Sequence, residues 1–415
     1  MALARTGAFF SNDQAPLSSR TVRYISGIHF PPGITNTSNG ALYGIENTNR
    51  GCTLSTNYIA GQSIPIPTTI GGMPDRLGVI TGKADTSDSN QMAVNPGGVP
   101  IFKDGHLVGG IGIAGMPLDV AEYVAFEAVV NNTDNVALPL PLPPPGEVVI
   151  NGIALPFVDN TTAPSDLVPP TGTFDSSRYV LGPVTSAGPP PDDYLVAASN
   201  GVGGLTASEV DGIIMNAVNT ALQTRAQIRL PLGSRARMMI AVSDLDGTII
   251  GLYRMHDATV FSIDVAATKA RNVVYFSGPN RTAGDLPGVP MGTAVTNRTI
   301  GFGAQPLFPP GIDGSSPGPF FNLYLQDTAI PCSQGAEPAG PNESGIVFFP
   351  GSEPLYMNGT LVGGLGVSGD GVDQDDYVTA GGAAGYEAPA NIRADQVVIS
   401  GVRLPFLSFP RNPTD

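Results

Sequence analysis

The chain has 415 residues, room for two or three domains with cores of their own, yet only 13% of them are charged, 53 are Gly, 40 are Pro and the formal net charge is −15. That acidic balance opposes binding to phosphate backbones and so excludes nucleic acid as the natural partner. No apolar run approaches the roughly 20 residues that a membrane-spanning helix needs.

Low charge with abundant Gly, Pro, Asn and Thr predicts a secreted, loop-rich protein, extracellular or periplasmic. The opening Met1-Ala-Leu-Ala-Arg5 has no signal-peptide apolar region, so any export signal is expected to lie outside this sequence.

In chain order, Ala4 to Phe10 reads as a short helix, and Phe30-Pro-Pro-Gly-Ile34 lies within a long Gly/Pro/Asn-rich stretch, about residues 18–95. Then comes Pro96-Gly-Gly-Val-Pro-Ile-Phe-Lys-Asp-Gly-His-Leu-Val-Gly-Gly-Ile-Gly112. It reads as a strand around Ile101, a turn at Lys103-Asp-Gly105 and a strand from Leu107 to Ile113, with a helix starting near Asp119. Glu147-Val-Val-Ile-Asn-Gly-Ile-Ala-Leu-Pro-Phe157 follows a proline spacer over 139–145. All of these phrases return. Ala270 to Ser277 matches the first helix, Phe308-Pro-Pro-Gly-Ile312 the second phrase, Pro350 to Gly366 the strand pair and Gln396 to Phe406 the last. The chain is a duplication, and the offsets change because loop lengths differ within a shared frame.

Residues 158–204, with Pro169-Pro170 and Pro189-Pro-Pro191, read as an extended linker between the copies. The second copy, 205–415, then opens with text for which the first, 1–157, has no counterpart. Thr206-Ala-Ser-Glu209 is a capping box before Val210, Ile213, Ile214, Ala217, Val218, Ala221 and Leu222 at helical spacing. Met238 to Ser243 and Thr248 to Tyr253 read as a hairpin about Asp244-Leu-Asp-Gly247, and a second helix is expected from about Val260 to Phe276. An insert of about 278–345 follows, then a strand ending at Phe348 or Phe349, a turn at Met357-Asn-Gly359, a strand from Leu361 to Val367 and a helix near Asp373. The first copy is therefore expected to lack its front half.

Several residue sets invite a site. Gly110-Ile-Gly-Ile-Ala-Gly115 and Gly364-Leu-Gly-Val-Ser-Gly369 match the dinucleotide pattern Gly-x-Gly-x-x-Gly, but carboxylates follow each, Asp119 and Glu122 in one copy and Asp370, Asp373, Asp375 and Asp376 in the other. These glycines are expected to serve packing. The acidic run Asp370 to Asp376 is expected to cap a helix, its spacing departing from a calcium loop. Arg229, Arg235 and Arg237 form the one basic cluster, expected to receive an anion or to pair with Asp244 or Asp246. Cys52 and Cys332 lie 22 and 24 residues after their Phe-Pro-Pro-Gly-Ile phrases; they read either as two separate loop cysteines or as a disulfide joining the copies. His29 and His106 read as solvated. No nucleophile, paired-carboxylate or metal-protease motif emerges, so nothing here argues directly for an enzyme.

Ile240-Ala-Val-Ser-Asp-Leu-Asp-Gly-Thr-Ile-Ile-Gly-Leu-Tyr-Arg-Met255 with Ser262 to Arg271, and Gly359 to Gly369 with Asp373-Gln-Asp-Asp-Tyr377, resemble the GlcG/HbpS-type haem-binding domain. The resemblance covers about residues 204–390 apart from the insert, and the latter half of the domain again in copy one. It implies an α+β fold, a roughly five-stranded antiparallel sheet flanked by helices and assembled into oligomers, with haem or a related tetrapyrrole as ligand. His256, at the exit of the hairpin, is the candidate iron ligand and Arg254 a candidate propionate partner. The alternative is a structural protein forming an extracellular oligomer or filament through its inserts and open sheet edge, as a homo-oligomer or with a complementing chain.

Overall fold

The computed structural model describes residues 2–45, 69–70, 73–74, 95–130, 148–165, 167, 188–329 and 332–415. Cys52, the proline spacer over 139–145 and Pro169-Pro170 of the linker lie outside the described residues.

The second copy is an α+β domain around a five-stranded antiparallel sheet of order β10-β11-β8-β9-β7. Its strands are β7 (Asp193–Val196), β8 (Met239–Ser243), β9 (Ile249–Arg254), β10 (Ser352–Met357) and β11 (Thr360–Ser368). The strand expected to end at Phe348 or Phe349 begins instead at Ser352. The dipeptide Phe348-Phe349 is buried side chain in two cores rather than sheet. Part of the expected linker is also sheet, because Asp193 to Val196 pairs with Leu252 to Arg254 and so closes the edge of β9.

Alternation along β8 explains why both faces are covered. Ile240 and Val242 point into a core with Val210, Ile213 and Ile214 of α4 (Ala207–Gln223) and Val378 of α8 (Val372–Gly382). Met239 and Ala241 point the other way, onto Ile263, Ala266, Ala267 and Ala270 of α5 (Ser262–Ser277). A strand with period-two side chains buried on both sides needs helices on both faces. The box predicted for α4 is present, with the Thr206 side chain accepting from the Glu209 amide and the Glu209 carboxylate from the Thr206 amide.

The repeated glycines are what bring α5 onto the sheet. A Cβ on Gly364 would lie 2.3 Å from the Ala270 carbonyl oxygen, and one on Gly366 would lie 2.1 Å from that of Ala266. In the first copy α1 (Ala2–Phe10) lies equally close over β3 (Gly98–Lys103) and β4 (His106–Gly112), a Cβ on Gly110 falling 2.2 Å from the Ala4 carbonyl oxygen. The glycine pattern is thus helix-on-strand contact in both copies, with no turn opening toward a phosphate.

The remaining elements repeat in part. In copy one they are α2 (Ser19–Tyr24), the two-residue ribbon β1 (Thr69–Ile70) and β2 (Met73–Pro74), α3 (Leu118–Val130), β5 (Val149–Ile150) and β6 (Ile153–Ala154). Copy two has α6 (Asn297–Gly303) and α7 (Phe321–Ala329) in its insert, and β12 (Val398–Ile399) with β13 (Val402–Arg403) near its end. Of these elements, α2, α3 and the β5–β6 pair return as α6, α8 and β12–β13. Ser18 caps α2 and donates to the Phe157 carbonyl, while Thr21 donates to that of Pro156. Thr296 caps α6 and donates to Phe406, while Thr299 donates to Pro405. Arg20 binds Glu122 of α3 as Arg298 binds Asp376 of α8.

The copies share one core. Phe10 at the end of α1 stacks on Phe261 before α5, with centroids 4.2 Å apart and rings 12° from parallel. Both join a cluster with Leu17, Val22, Ile25, Val347 and Phe349. Asn36 and Asp313 exchange hydrogen bonds between the two equivalent loops. Cys332 is disulfide-bonded.

In copy one, however, β3 and β4 form a two-stranded sheet. Among the described residues no strand pairs with the outer edge of β4, where Gly364 to Ser368 of β11 meets Met239 to Ser243 of β8 in copy two.

Candidate functional site

Charge is scarce in this chain, and much of it is buried where α5, α6, α8 and β10 converge. Lys269 of α5 is fully buried, donating to the Val367 carbonyl at 2.8 Å and to Asp375 of α8 at 3.0 Å, with the Phe349 ring 5.0 Å from its ammonium. Burial pushes Lys269 down and Asp375 up to about 7, each opposed by the charge of the other. The second Asp375 oxygen has no partner, and the residue borders a cavity of about 30 Å³ together with Phe10, Phe261, Phe349 and Val372. That is the volume of about one water molecule.

The acidic run of α8 does not cap its helix as expected. Gly371 occupies the cap position and makes no side-chain cap bond. The carboxylates are drawn to basic groups: Asp373 and Asp376 to Arg298, Asp375 to Lys269, and Asp370 to Arg229. Arg229 accordingly pairs with neither Asp244 nor Asp246. Its fork also holds Asp257 at 2.5 Å and the Gln14 amide oxygen at 3.2 Å, tying the loop after α1 to the second copy. Asp244 instead accepts from the Val202, Gly203 and Leu245 amides, which makes it a turn-forming group. Arg235 donates to the carbonyls of Gln223 and Thr414, and the Arg237 amide donates to Asp370.

Glu353 of β10 is the group that sequence reasoning missed. It is buried with one carboxylate oxygen unpartnered, and burial raises its pKa to about 8 against the opposing pull of Arg393. A signal was available, since the repeated phrase carries Val99 at this position and a carboxylate in its place breaks the pattern.

The expected haem residues lie at the exit of β9. His256 is exposed; its amide donates to Asp192, and its imidazole has no hydrogen-bond partner among the described residues. Arg254 is 8% exposed and turned inward, one guanidinium nitrogen reaching the Pro191 carbonyl at 3.2 Å. Burial lowers its pKa. The structure therefore leaves the imidazole available to a ligand and engages the guanidinium with the segment that leads into β7. His29 and His106 are not simply solvated. The first bridges the Thr37 carbonyl and Asp313, and the second bonds Asp13 at 2.6 Å, which raises its pKa.

At the opposite end of the sheet, between the β8–β9 turn and the insert, lies a cleft of about 580 Å³. Arg271, Tyr275, Asn342, Glu337, Glu343 and Leu361 line it. The Tyr275 hydroxyl donates to Asp285 at 2.9 Å, and Arg271 donates to the Gly247 carbonyl and the Ser344 hydroxyl. Burial and the neighbouring Glu343 raise the Glu337 carboxyl. Carboxylates beside an engaged arginine suit a hydroxyl-rich or cationic ligand and repel the two propionates of a haem.

Residues 205–384 match the family model described as "HbpS-like: Haem degrading protein HbpS-like". These residues are an HbpS-like domain. It runs from the residue before the α4 cap to just past α8, and so includes His256, Arg254, Lys269, Glu353 and Asp375. No curated protein matches the chain. Among solved structures it is similar to a PduOC:haem complex, at 22% identity over 43% of this chain and 93% of that one, TM-score 0.28. It is also similar to protein ORFY of Klebsiella pneumoniae, a DUF336 protein, at 16% identity over 51% and 96% of the two chains, TM-score 0.29. A double mutant of Streptomyces reticuli HbpS matches at 19% identity over 50% and 97%, TM-score 0.26.

Proposed function

We propose that this is an exported ligand-binding protein whose HbpS-like domain takes haem or a related tetrapyrrole, with His256 as the iron ligand. The observation that carries the proposal is the family match over residues 205–384. The exposed, unbonded imidazole of His256 supports it, since neutral imidazole is a common axial ligand. Haem would supply the iron, and the protein's part is to present the imidazole from a rigid strand end fixed by the His256 amide bond to Asp192. Hemin titration of the full chain is expected to give saturable binding with a shifted Soret band, and His256→Ala to weaken it on the order of tenfold or more. Absence of saturable binding overturns the proposal, while unchanged affinity in the variant moves the ligand elsewhere.

A second reading rests on the unpaired edge of β4. Ile111 and Ile113 are only half-buried there, and Met116, Leu118 and Val130 near the two ends of α3 are exposed at 41%, 44% and 50%. In copy two α4 and β8 cover the equivalent surfaces. An unpaired strand beside an uncovered helix is the geometry of strand addition. The occupant we infer is a helix–hairpin segment of the α4–β8–β9 kind on another chain. Light scattering after size exclusion is expected to give an oligomer that Ile111→Lys, which places a charge beside the open edge, dissociates. A wild-type monomer at all concentrations would exclude this reading.

A further inference from the structure

The two copies keep the same scaffold around α2 and α6, so the places where they differ expose residues that the fold does not require. Both helices have the same cap, the same ties to the Pro-Phe carbonyls and the same arginine on the same carboxylate, Arg20 with Glu122 and Arg298 with Asp376. One turn of helix later they part: Arg23 and Tyr24 stand where copy two has Gly301 and Phe302. The aromatic ring itself is structural. Tyr24 meets Phe30 edge-on at 5.9 Å, as Phe302 meets Phe308 at 5.6 Å. The hydroxyl and the guanidinium are additions. In copy two the site is closed, since a Cβ on Gly301 would lie 2.0 Å from the Phe348 carbonyl oxygen.

In copy one the same place is a cleft of about 620 Å³. Pro32, Pro96, Pro156 and Leu118 make its apolar walls, and Tyr24 borders it. Four charged residues line it, in two states. Arg20 and Asp159 are already satisfied, Arg20 bonding Glu122 through two nitrogens and Asp159 at 2.6 Å through the third. Arg23 and Asp119 are not: neither has an ion-pair partner among the described residues, and they do not pair with each other. Burial and the neighbouring Arg20 disfavour the charge on Arg23, so the site stands to gain from an incoming anion. Asp119, in the first turn of α3, offers the opposite charge across the same space.

We propose that this cleft binds a small zwitterion with an apolar body, an α-amino acid or dipeptide, its carboxylate on Arg23 and its ammonium on Asp119. The Tyr24 hydroxyl adds a hydrogen bond to the carboxylate, and the proline walls receive the side chain. A simple anion would leave Asp119 unmatched and repelled, and a simple cation would do the same to Arg23. The proposal does not depend on the haem reading, because the cleft belongs to copy one, outside the HbpS-like domain.

The test is calorimetric titration of the full chain with L-phenylalanine and glycyl-L-phenylalanine, set against 3-phenylpropanoate, which lacks the ammonium, and phenethylamine, which lacks the carboxylate. At least one zwitterion is expected to bind saturably, and both truncated analogues at least about tenfold more weakly, the loss of one charge pair. Arg23→Gly, the residue that copy two carries, and Asp119→Asn are each expected to lose about tenfold while hemin binding stays as in the wild type. Tyr24→Phe, again the copy-two residue, keeps the fold and tests the hydroxyl alone should either charge variant fail to fold. Failure of both zwitterions to bind overturns the proposal, as does equal binding of 3-phenylpropanoate.

Discussion

Replacing Arg229 by Met is expected to destabilise the protein by about 3–5 kcal/mol, the cost of removing one partner from a buried ionic network. Arg229 is 1% exposed and its fork makes four contacts, with Asp370, with the Asp257 carboxylate and carbonyl, and with Gln14. Met matches the stem but leaves Asp370 fully buried beside a second carboxylate. Arg229→Lys is expected to recover little, since one ammonium cannot span partners that occupy different nitrogens of a planar fork. Gln14 follows α1 while Asp257 and Asp370 belong to copy two, so the loss falls on the contact between copies. Urea denaturation read at pH 7 checks the expectation, and a change below about 1 kcal/mol would contradict it.

How much of this could be read in the sequence depended on whether a feature is local. The α4 box, the β8–β9 hairpin and the repeated glycines are local patterns, and each lies where spacing placed it. The fates of Arg229 and of the acidic run were not legible. A carboxylate at a helix start has two favourable uses, capping and ion pairing, and the choice is made by cations that arrive from residues 229, 269 and 298, far off in sequence. Phe348-Phe349 failed for a related reason: an apolar pair reads as strand, yet its burial comes from the meeting of two copies. His256 was legible as a candidate because the hairpin exit was, but the inward turn of Arg254 follows from β7, a strand hidden in what reads as linker. The duplication supplied a second kind of signal. Differences between equivalent positions, Val99 against Glu353 and Gly301 against Arg23, separate what the fold needs from what has been added to it.

Glu353→Val provides the sharpest use of that comparison. Val99 is fully buried at the equivalent position of β3, so the domain accepts an apolar side chain there. In the folded protein Glu353 titrates near 8, against an ordinary value near 4.5, because burial penalises its charge. Between those values the folded state holds a proton that the unfolded chain has released. Stability from this group is therefore full below about pH 4.5 and falls as pH rises toward 8, at up to about 1.4 kcal/mol per pH unit. Valine removes the slope. The variant is expected to be more stable than the wild type by a few kcal/mol at pH 9 and to lose most of that advantage by pH 5. Asp375, raised to about 7 and unchanged by the substitution, contributes a slope of the same sign to both proteins and cancels in the difference. Urea denaturation of both proteins at pH 5, 7 and 9 gives that difference directly. Parallel stability curves would mean that Glu353 ionises normally in the folded state. A variant weaker than the wild type at pH 9 would mean instead that the attraction of Arg393 outweighs the burial of the carboxylate.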